Sequence, residues 1–178
     1  MSIGQNKIPT RLVNFNAYLN NKKLIGVATA EMPELEAMTD TITGSGILGE
    51  VEVPILGHFS AISCKITWHT PTKQALLLST QKKAHALDLR GSFQEYDAVS
   101  GSYTTYGLRL SMRVSPKTLS LGELEPAAAT DTEREFSVSY VKAFVNNKEV
   151  LEFDPLNGVW KVNGVDQYAS VRRDLGEL

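Results

Sequence analysis

The clearest pattern in the chain is a long alternation of apolar and polar residues over positions 84–115. Successive side chains of a strand point to opposite faces, so this pattern predicts two half-buried strands. Turn-forming residues at 97–102 separate the two halves. The predicted structure is one long antiparallel hairpin with an apolar face made by Leu87, Leu89, Phe93, Tyr106, Leu108, Leu110, Met112 and Val114.

The register of this hairpin also follows from the pattern. The apolar positions are odd-numbered in the first strand and even-numbered in the second. Directly opposed residues share a face, so paired numbers must sum to an odd value, which requires an even loop such as 98–101. The opposite, polar face then carries Asp88, Arg90, Arg109 and Arg113. Because typical strands have about 5–6 residues, a hairpin of this length indicates a wall or an assembly surface.

Shorter alternations predict further strands on both sides of this hairpin. A hairpin is predicted over 12–28 because Asn20-Asn21 tolerates the positive φ of a tight turn. Residues 60–69 place Ile62, Cys64, Ile66 and Trp68 on one face. A second strand pair is predicted over 133–154, around Asn146-Asn147.

The remaining segments are less regular. Residues 1–11 are expected to form an extended arm, and 31–57 two edge-like strands joined by a long loop. One short helix is predicted, with Thr70 as its N-cap, Pro71 at its first position and its end near Lys82-Lys83. Residues 116–130 are expected to form a long surface excursion, and 155–178 a C-terminal segment with two Asn-Gly turn signals.

An internal echo links the two ends of the chain. Residues 17–25 match residues 143–151 at all positions but Lys23/Glu149, by identity or close similarity. Two tight hairpins that share turn chemistry would explain the match, and so would a repeated β-unit within one sandwich. The sequence alone leaves both open.

Composition excludes several classes of protein. The 178 residues suit one domain, and 42% apolar with 21% charged residues is ordinary for a globular protein. The net charge of −2 predicts no general attraction to nucleic acid or anionic membrane. Cys64 is alone, so no disulfide framework is expected, and a role in the core is favoured for it. No secretory signal or membrane anchor is expected.

No arrangement of residues predicts an enzyme, a cofactor site or a metal site. The three histidines have no metal-binding spacing, and neither a GxSxG elbow nor a P-loop occurs. Arg90, Arg109 and Arg113 could meet phosphates, but the face lacks interleaved aromatics apart from Tyr103, so specific nucleic-acid binding is not expected.

The C-terminal segment resembles a known family. Residues 161–166, Lys-Val-Asn-Gly-Val-Asp, follow an acidic-aliphatic strand and precede the basic pair Arg172-Arg173. This ending resembles that of the major tail tube proteins of contractile-tailed bacteriophages, and the opening hairpin over 13–26 is also similar. The signature residues are Lys161, Val162, Asn163, Gly164, Val165, Asp166, Arg172 and Arg173.

The resemblance implies a mainly β subunit, an antiparallel sandwich or barrel with one short flanking helix and long hairpins. Such subunits form hexameric rings that stack head-to-tail into a hollow tube inside a contractile sheath. The implied partners are other copies of the chain, the sheath protein, a baseplate initiator, a tape-measure protein, a tail terminator and DNA in transit. The implied location is the virion, after assembly in the bacterial cytoplasm.

The resemblance also gives roles to residues. The signature residues are expected to make assembly contacts, and Asp88, Arg90, Arg109 and Arg113 to face the lumen. Three basic residues would make the bore locally basic unless carboxylates such as Asp88 pair with them; otherwise this face lies elsewhere.

Two other functions stay open at this stage. One is the tube of a headless R-type bacteriocin or a related contractile injection system. The other, of a different class, is a β-sandwich that binds a ligand on a platform of Tyr103, Tyr106 and Trp160.

Overall fold

The protein is mainly β, and most of its strands belong to one antiparallel sheet. The computed structural model describes residues 7–177. Ten strands form the main sheet, whose central path runs β12-β11-β10-β9-β8-β7-β1-β2. The strands are β1 (Lys7–Leu19), β2 (Lys22–Lys23), β3 (Val27–Glu31), β4 (Ala37–Ile42), β5 (Val51–Phe59), β6 (Ser63–Trp68), β7 (His85–Asp97), β8 (Ser102–Ser120), β9 (Thr132–Val145), β10 (Lys148–Asp154), β11 (Val159–Val162) and β12 (Val165–Asp166).

The central hairpin is β7–β8, and its predicted register is confirmed. Asp97 pairs with Ser102 and His85 with Val114, so every pair sums to an odd number around a loop at 98–101. Leu87 lies opposite Met112 and Leu89 opposite Leu110, and all four are buried. The predicted apolar face therefore packs on the core along this part of the hairpin.

The sheet folds over so that a second layer covers this apolar face. β9 pairs with β8 on one side, and on the other it pairs with β10 and then with β6, which carries β3 at its outer edge. The β8–β9 register is irregular near Val114 and Pro116, as at bulges that bend strands. Trp68, Phe136 and Ile66 are fully buried in the core between the layers, where Cys64 also lies, as predicted.

The sequence echo corresponds to a structural repeat. Asn20 donates its backbone N–H to the Ala86 carbonyl (2.8 Å) and accepts the Ala86 N–H on Oδ1 (3.0 Å). Asn146 makes the same two bonds to Gly107, at 2.9 and 3.0 Å. Both Asn-Asn turns have the positive φ that was predicted for the first of them.

A local two-fold axis relates the two turns. Ala17, Leu89, Leu110 and Ala143 form one row across the sheet, and Ala86 and Gly107 each precede their leucine by three residues. An axis between Leu89 and Leu110 exchanges β7 with β8 and β1 with β9. This favours the repeated β-unit over turn chemistry that is merely shared.

The helix prediction was wrong in its bounds and in its number. The first helix, α1, spans only Lys73–Leu77, and its N-cap is Thr72, whose hydroxyl accepts the Ala75 N–H at 3.1 Å. At its end, the Ser79 and Thr80 hydroxyls donate to the carbonyls of Leu76 and Leu77. A second helix, α2 (Ala169–Asp174), lies in the C-terminal segment, where none was predicted.

The irregular segments contain more strand than expected. β8 continues through Pro116 to Ser120, so the excursion predicted at 116–130 begins only at Leu121. Residues 7–11 of the predicted arm belong to β1, and residues 1–6 lie outside the described part of the chain. Of the two predicted architectures, sandwich or barrel, the closed barrel is absent from residues 7–177.

Candidate functional site

The polar face of the main sheet carries a continuous row of charged and polar residues. Direct strand pairing aligns them across eight strands. The row reads Lys23, Tyr18, Asp88, Ser111, Lys142, Glu152, Lys161 and Asp166. The predicted lumen residue Asp88 and the signature residues Lys161 and Asp166 therefore belong to one surface.

Asp88 contacts two arginines on this surface. Arg90 and Arg109 are direct cross-strand partners, an arrangement that is unfavourable for like charges. The Asp88 Oδ2 lies 3.2 Å from a terminal nitrogen of Arg90 and 3.9 Å from the Nε of Arg109. One carboxylate thus lies within ion-pair distance of both guanidinium groups.

Aromatic rings from the flanking strands hold the same arginines. The guanidinium of Arg90 lies 4.6 Å from the centroid of the Tyr18 ring, and that of Arg109 lies 4.8 Å from the Phe144 centroid. Such cation–π contacts orient a guanidinium without neutralising it. Both rings lie on strands that flank the hairpin, so the hairpin sequence alone could not reveal them.

Arg113 occupies a separate position on the same face. It lies 5.4 Å from the Tyr140 ring centroid and 4.0 Å from an oxygen of Asp154. Asp154 is buried and also accepts the backbone N–H groups of Leu156 and Asn157. The three predicted lumen arginines all lie within 4.0 Å of a carboxylate.

A cluster centred on Glu152 continues the row toward the C-terminal segment. Glu152 accepts the Tyr140 hydroxyl at 3.0 Å and lies 3.4 Å from Lys142 and 3.5 Å from Lys161. Burial opposes ionisation of Glu152, but the bonds from Tyr140 and Lys142 outweigh it and hold its pKa below the usual range. The hydrogen bond to Glu149 likewise raises the pKa of Lys142, so the cluster is ionised and charge-paired.

The signature residues form a small hairpin that α2 clamps. β11 and β12 meet at Asn163-Gly164, both with positive φ. Arg172 of α2 donates to the Gly158 carbonyl at 2.5 Å and forms an ion pair with Asp166. Burial raises the pKa of Asp166, but the Tyr168 N–H and Arg172 outweigh it, so the net shift is downward.

The eight signature residues lie in different environments. Asp166 and Arg172 hold the C-terminal segment together within one subunit, Lys161 belongs to the Glu152 cluster, and Asn163-Gly164 form the turn. Val162, Val165 and Arg173 are exposed.

Sequence reasoning missed several members of this surface. Tyr18, Tyr140, Lys142, Phe144 and Glu152 were not predicted to belong to it. Tyr140, Lys142 and Phe144 have the same parity as the buried Phe136 and Val138, so alternation alone places them on the apolar face. The register irregularity between the pairs Val114–Val138 and Arg113–Tyr140 moves them to the polar face beside Arg109.

The alternative aromatic platform does not exist. Tyr103 packs on Tyr96, with ring centroids 5.1 Å apart, on the polar face. Tyr106 stacks on Phe93 on the opposite face, and Trp160 packs edge-on against Phe59. The three rings that would have formed a ligand platform are therefore dispersed.

A second exposed feature is the hairpin β4–β5, which pairs with no other strand among residues 7–177. Ile42 pairs with Val51 and Asp40 with Val53, which gives the hairpin one mainly apolar face. The residues of this face are exposed, Val53 at 38% and Ile42 at 45%. The opposite face is polar and carries a Thr39–Glu52 hydrogen bond.

Two of the strand edges that stay open within residues 7–177 belong to the long strands β1 and β8. β2 covers only Tyr18 and Leu19 of β1, and the Leu24 N–H donates to the Ala17 carbonyl, so the outer edge of β1 from Lys7 to Asn16 pairs with no strand among residues 7–177. β9 pairs with β8 only from Leu108 onward, and Asn146 hydrogen-bonds to Gly107, which leaves the edge of β8 from Ser102 to Tyr106 without a partner strand among residues 7–177. Open edges are sites where further strands can join.

Comparison with known proteins decides the family. The family model described as phage tail tube protein FII matches residues 9–176. The chain belongs to this family. The predicted resemblance to tail tube proteins is confirmed, and the protein is a structural tail tube protomer.

One curated relative matches nearly the whole chain. This tail tube protein is 26% identical over 179 residues to the tail tube protein of Escherichia phage P2, and the match covers 95% of this chain and 98% of the relative. Family membership therefore makes the protein a virion component that assembles with copies of itself into a tube.

The described part of this tail tube protein offers little for other chemistry. Within residues 7–177, no three His, Cys, Asp or Glu side chains come together as potential metal ligands. None of the helices found there has the length and apolar character needed to cross a membrane.

Proposed function

We propose that this subunit forms hexameric rings, that the rings stack head-to-tail, and that the polar face of the main sheet lines the bore. The observation that carries the proposal is the continuous row of charged and polar residues across that face, in which Asp88, Lys142, Glu152, Lys161 and Asp166 are ion-paired, next to open strand edges. The bore holds a tape-measure protein during assembly and later conducts DNA.

The open edges supply the lateral contacts of the ring. The outer edge of β1 and the open part of β8 differ in sequence, so neighbouring subunits join through two different surfaces. Such a contact forms a closed ring when the rotation between neighbouring subunits divides a full turn evenly. Pro9 and the register irregularities of β1 limit indiscriminate pairing. A closed ring leaves neither of these two edges free.

The β4–β5 hairpin supplies the contact between rings. Its apolar face is exposed in one subunit, and an isolated two-stranded hairpin is marginally stable in water. Exposed apolar patches of this kind mark interaction sites. The occupant is a second copy of this chain, because a tube needs axial as well as lateral contacts. The loop after Ser120, with Leu121 and Leu124 exposed, is a further stacking contact.

The outer surface and the tube ends meet the other tail components. These are the sheath protein, the baseplate initiator and the tail terminator, with assembly in the cytoplasm of the host. Exposed signature residues Val162, Val165 and Arg173 contribute to assembly contacts.

Cysteine labelling on opposite sides of the sandwich tests the bore assignment. Ser92 lies on the polar face and Ser63 on the outward face of β6, and both are exposed. Cys64 does not interfere, because it is buried and burial raises its pKa to about 12. Ser92→Cys and Ser63→Cys subunits are coupled to biotin, assembled, incubated with gold-labelled streptavidin and imaged by electron microscopy.

Ser63→Cys tubes should carry gold along their length, and Ser92→Cys tubes only at their ends, because streptavidin is too bulky for the bore. Before assembly, both biotin-labelled subunits should bind streptavidin equally. This control shows that biotin was coupled to both cysteines to the same extent. Gold along the whole length of Ser92→Cys tubes would contradict the proposal.

A further inference from the structure

A shallow depression of about 340 Å³ lies on the polar face between the two arginines that share Asp88. Its lining includes Arg90, Arg109, Gly91, Gly107, Asn146 and Asn147. Gly107 leaves the floor open, because a Cβ there would meet no atom within 4 Å. Two guanidinium groups and two side-chain amides therefore border a concavity of a size that a phosphate group fits.

The arginines of this depression are oriented in advance. Arg90 is held on the Tyr18 ring and Arg109 on the Phe144 ring, and the Nε of Arg109 donates to the Ser111 hydroxyl at 3.1 Å. Paired, pre-oriented guanidinium groups are the usual donors to phosphate oxygens. The arrangement has the composition of a phosphate site, with a carboxylate already in place.

We propose that Arg90 and Arg109 form a latent site for DNA backbone phosphates, and that Asp88 keeps it closed by occupying both guanidinium groups. The inference rests on the proposed function, in which this face lines the bore. Because stacked rings repeat the site along the tube, even weak phosphate binding per subunit would hold DNA strongly. Asp88 is therefore the residue that lets DNA pass without being retained.

Asp88→Asn tests this proposal because it removes the charge and keeps the shape. The matched control is Glu31→Gln. It changes the net charge by the same amount, and it also removes a carboxylate from an ion pair, with Lys65, on another part of the surface. The probe is a fluorescein-labelled 20-base-pair duplex, titrated with soluble subunits and followed by anisotropy over a series of salt concentrations. Asp88→Ser serves as a second variant should the asparagine variant fold poorly.

The expected result is that Asp88→Asn binds the duplex about tenfold more tightly than wild type at low salt. Its log–log salt dependence should steepen by about 2, as for two additional phosphate contacts. Glu31→Gln should match wild type, and adding Arg109→Ala to Asp88→Asn should restore wild-type affinity. A structural role of Asp88 alone would change thermal stability but not this salt slope. If Asp88→Asn and Glu31→Gln bind equally, the proposal is overturned.

Assembled tubes separate this inference from the bore assignment. Tubes of each variant are formed in the presence of the duplex and washed, and the retained fluorescence is measured. Retained DNA above wild type in Asp88→Asn tubes that added DNase does not digest supports both statements. Retained DNA that DNase digests supports the latent site and contradicts the bore assignment. If the soluble variant binds but its tubes retain no more DNA than wild type, the latent site stands and the bore assignment fails.

Discussion

Replacing Leu110 by Asp will leave no cooperatively folded protein. Leu110 is 8% exposed and pairs directly with Leu89 in the core row of the sheet. Truncating a buried leucine costs about 2–5 kcal/mol, and burying a carboxylate without a partner costs several more. The sum approaches or exceeds the roughly 5–15 kcal/mol by which domains are stable. Circular dichroism and thermal unfolding of the soluble fraction measure the effect.

Arg109→Ala is the matched control for this substitution. Arg109 is the neighbour of Leu110 in β8, and its side chain lies on the polar face instead of the core face. The Arg109 side chain is 44% exposed, and its removal gives up only surface contacts with Asp88 and Phe144. The free energy of unfolding of this variant should lie within about 1 kcal/mol of the wild-type value. A cooperative transition near the wild-type midpoint for Leu110→Asp would show that the core face has been misassigned.

Replacing Val53 by Asp will abolish tube formation and leave the subunit folded. Val53 lies on the apolar face of the β4–β5 hairpin and outside the core, so its free energy of unfolding should change by less than about 1 kcal/mol. In the proposed contact between rings, the substitution would bury a charged carboxylate in place of the valine side chain. Burial of such an apolar side chain contributes about 1.5–3 kcal/mol. That loss recurs in every subunit of the polymer.

Thr41→Asp is the control, because it places the same charge on the polar face of the same hairpin. Tube yield is measured by sedimentation and negative-stain microscopy, and the monomer fold by thermal unfolding. Thr41→Asp should form tubes. Wild-type tube yield from Val53→Asp would exclude the hairpin as the contact between rings.

The central hairpin was predictable because its pattern is long. A one-residue slip over β7 and β8 would expose every leucine of the core row, so only one register satisfies the alternation. The Asn-Asn turns were predictable for a similar reason, since Asn accepts the required positive φ. In both places local sequence and tertiary packing favour the same structure.

Prediction failed where neighbours in space decide the outcome. Pro116 argues against a strand, yet β8 passes through it at a point where the register is irregular. The helix α1 had several possible caps, and the Thr72 hydroxyl prevailed over Thr70. The helix α2 depends on the contacts of Arg172 with Gly158 and Asp166, which exist only after the chain has folded.

The polar face shows the same division between local pattern and spatial arrangement. That Asp88, Arg90 and Arg109 share a face follows from alternation alone. That Asp88 reaches both arginines, and that Tyr18 and Phe144 hold them, depends on β1 and β9 flanking the hairpin. The sequence places three basic residues, Arg90, Arg109 and Arg113, on this face. In the structure each of them lies within ion-pair distance of a carboxylate.

A helical reconstruction by electron cryo-microscopy of tubes assembled from the purified protein is the most direct test of the proposed assembly. It should resolve stacked six-subunit rings in which the side chains of Asp88, Arg90 and Arg109 line the bore. It should also place the apolar face of β4–β5 against a subunit of the adjacent ring. Tubes with those three side chains on the outer surface, or buried between rings, would contradict the account.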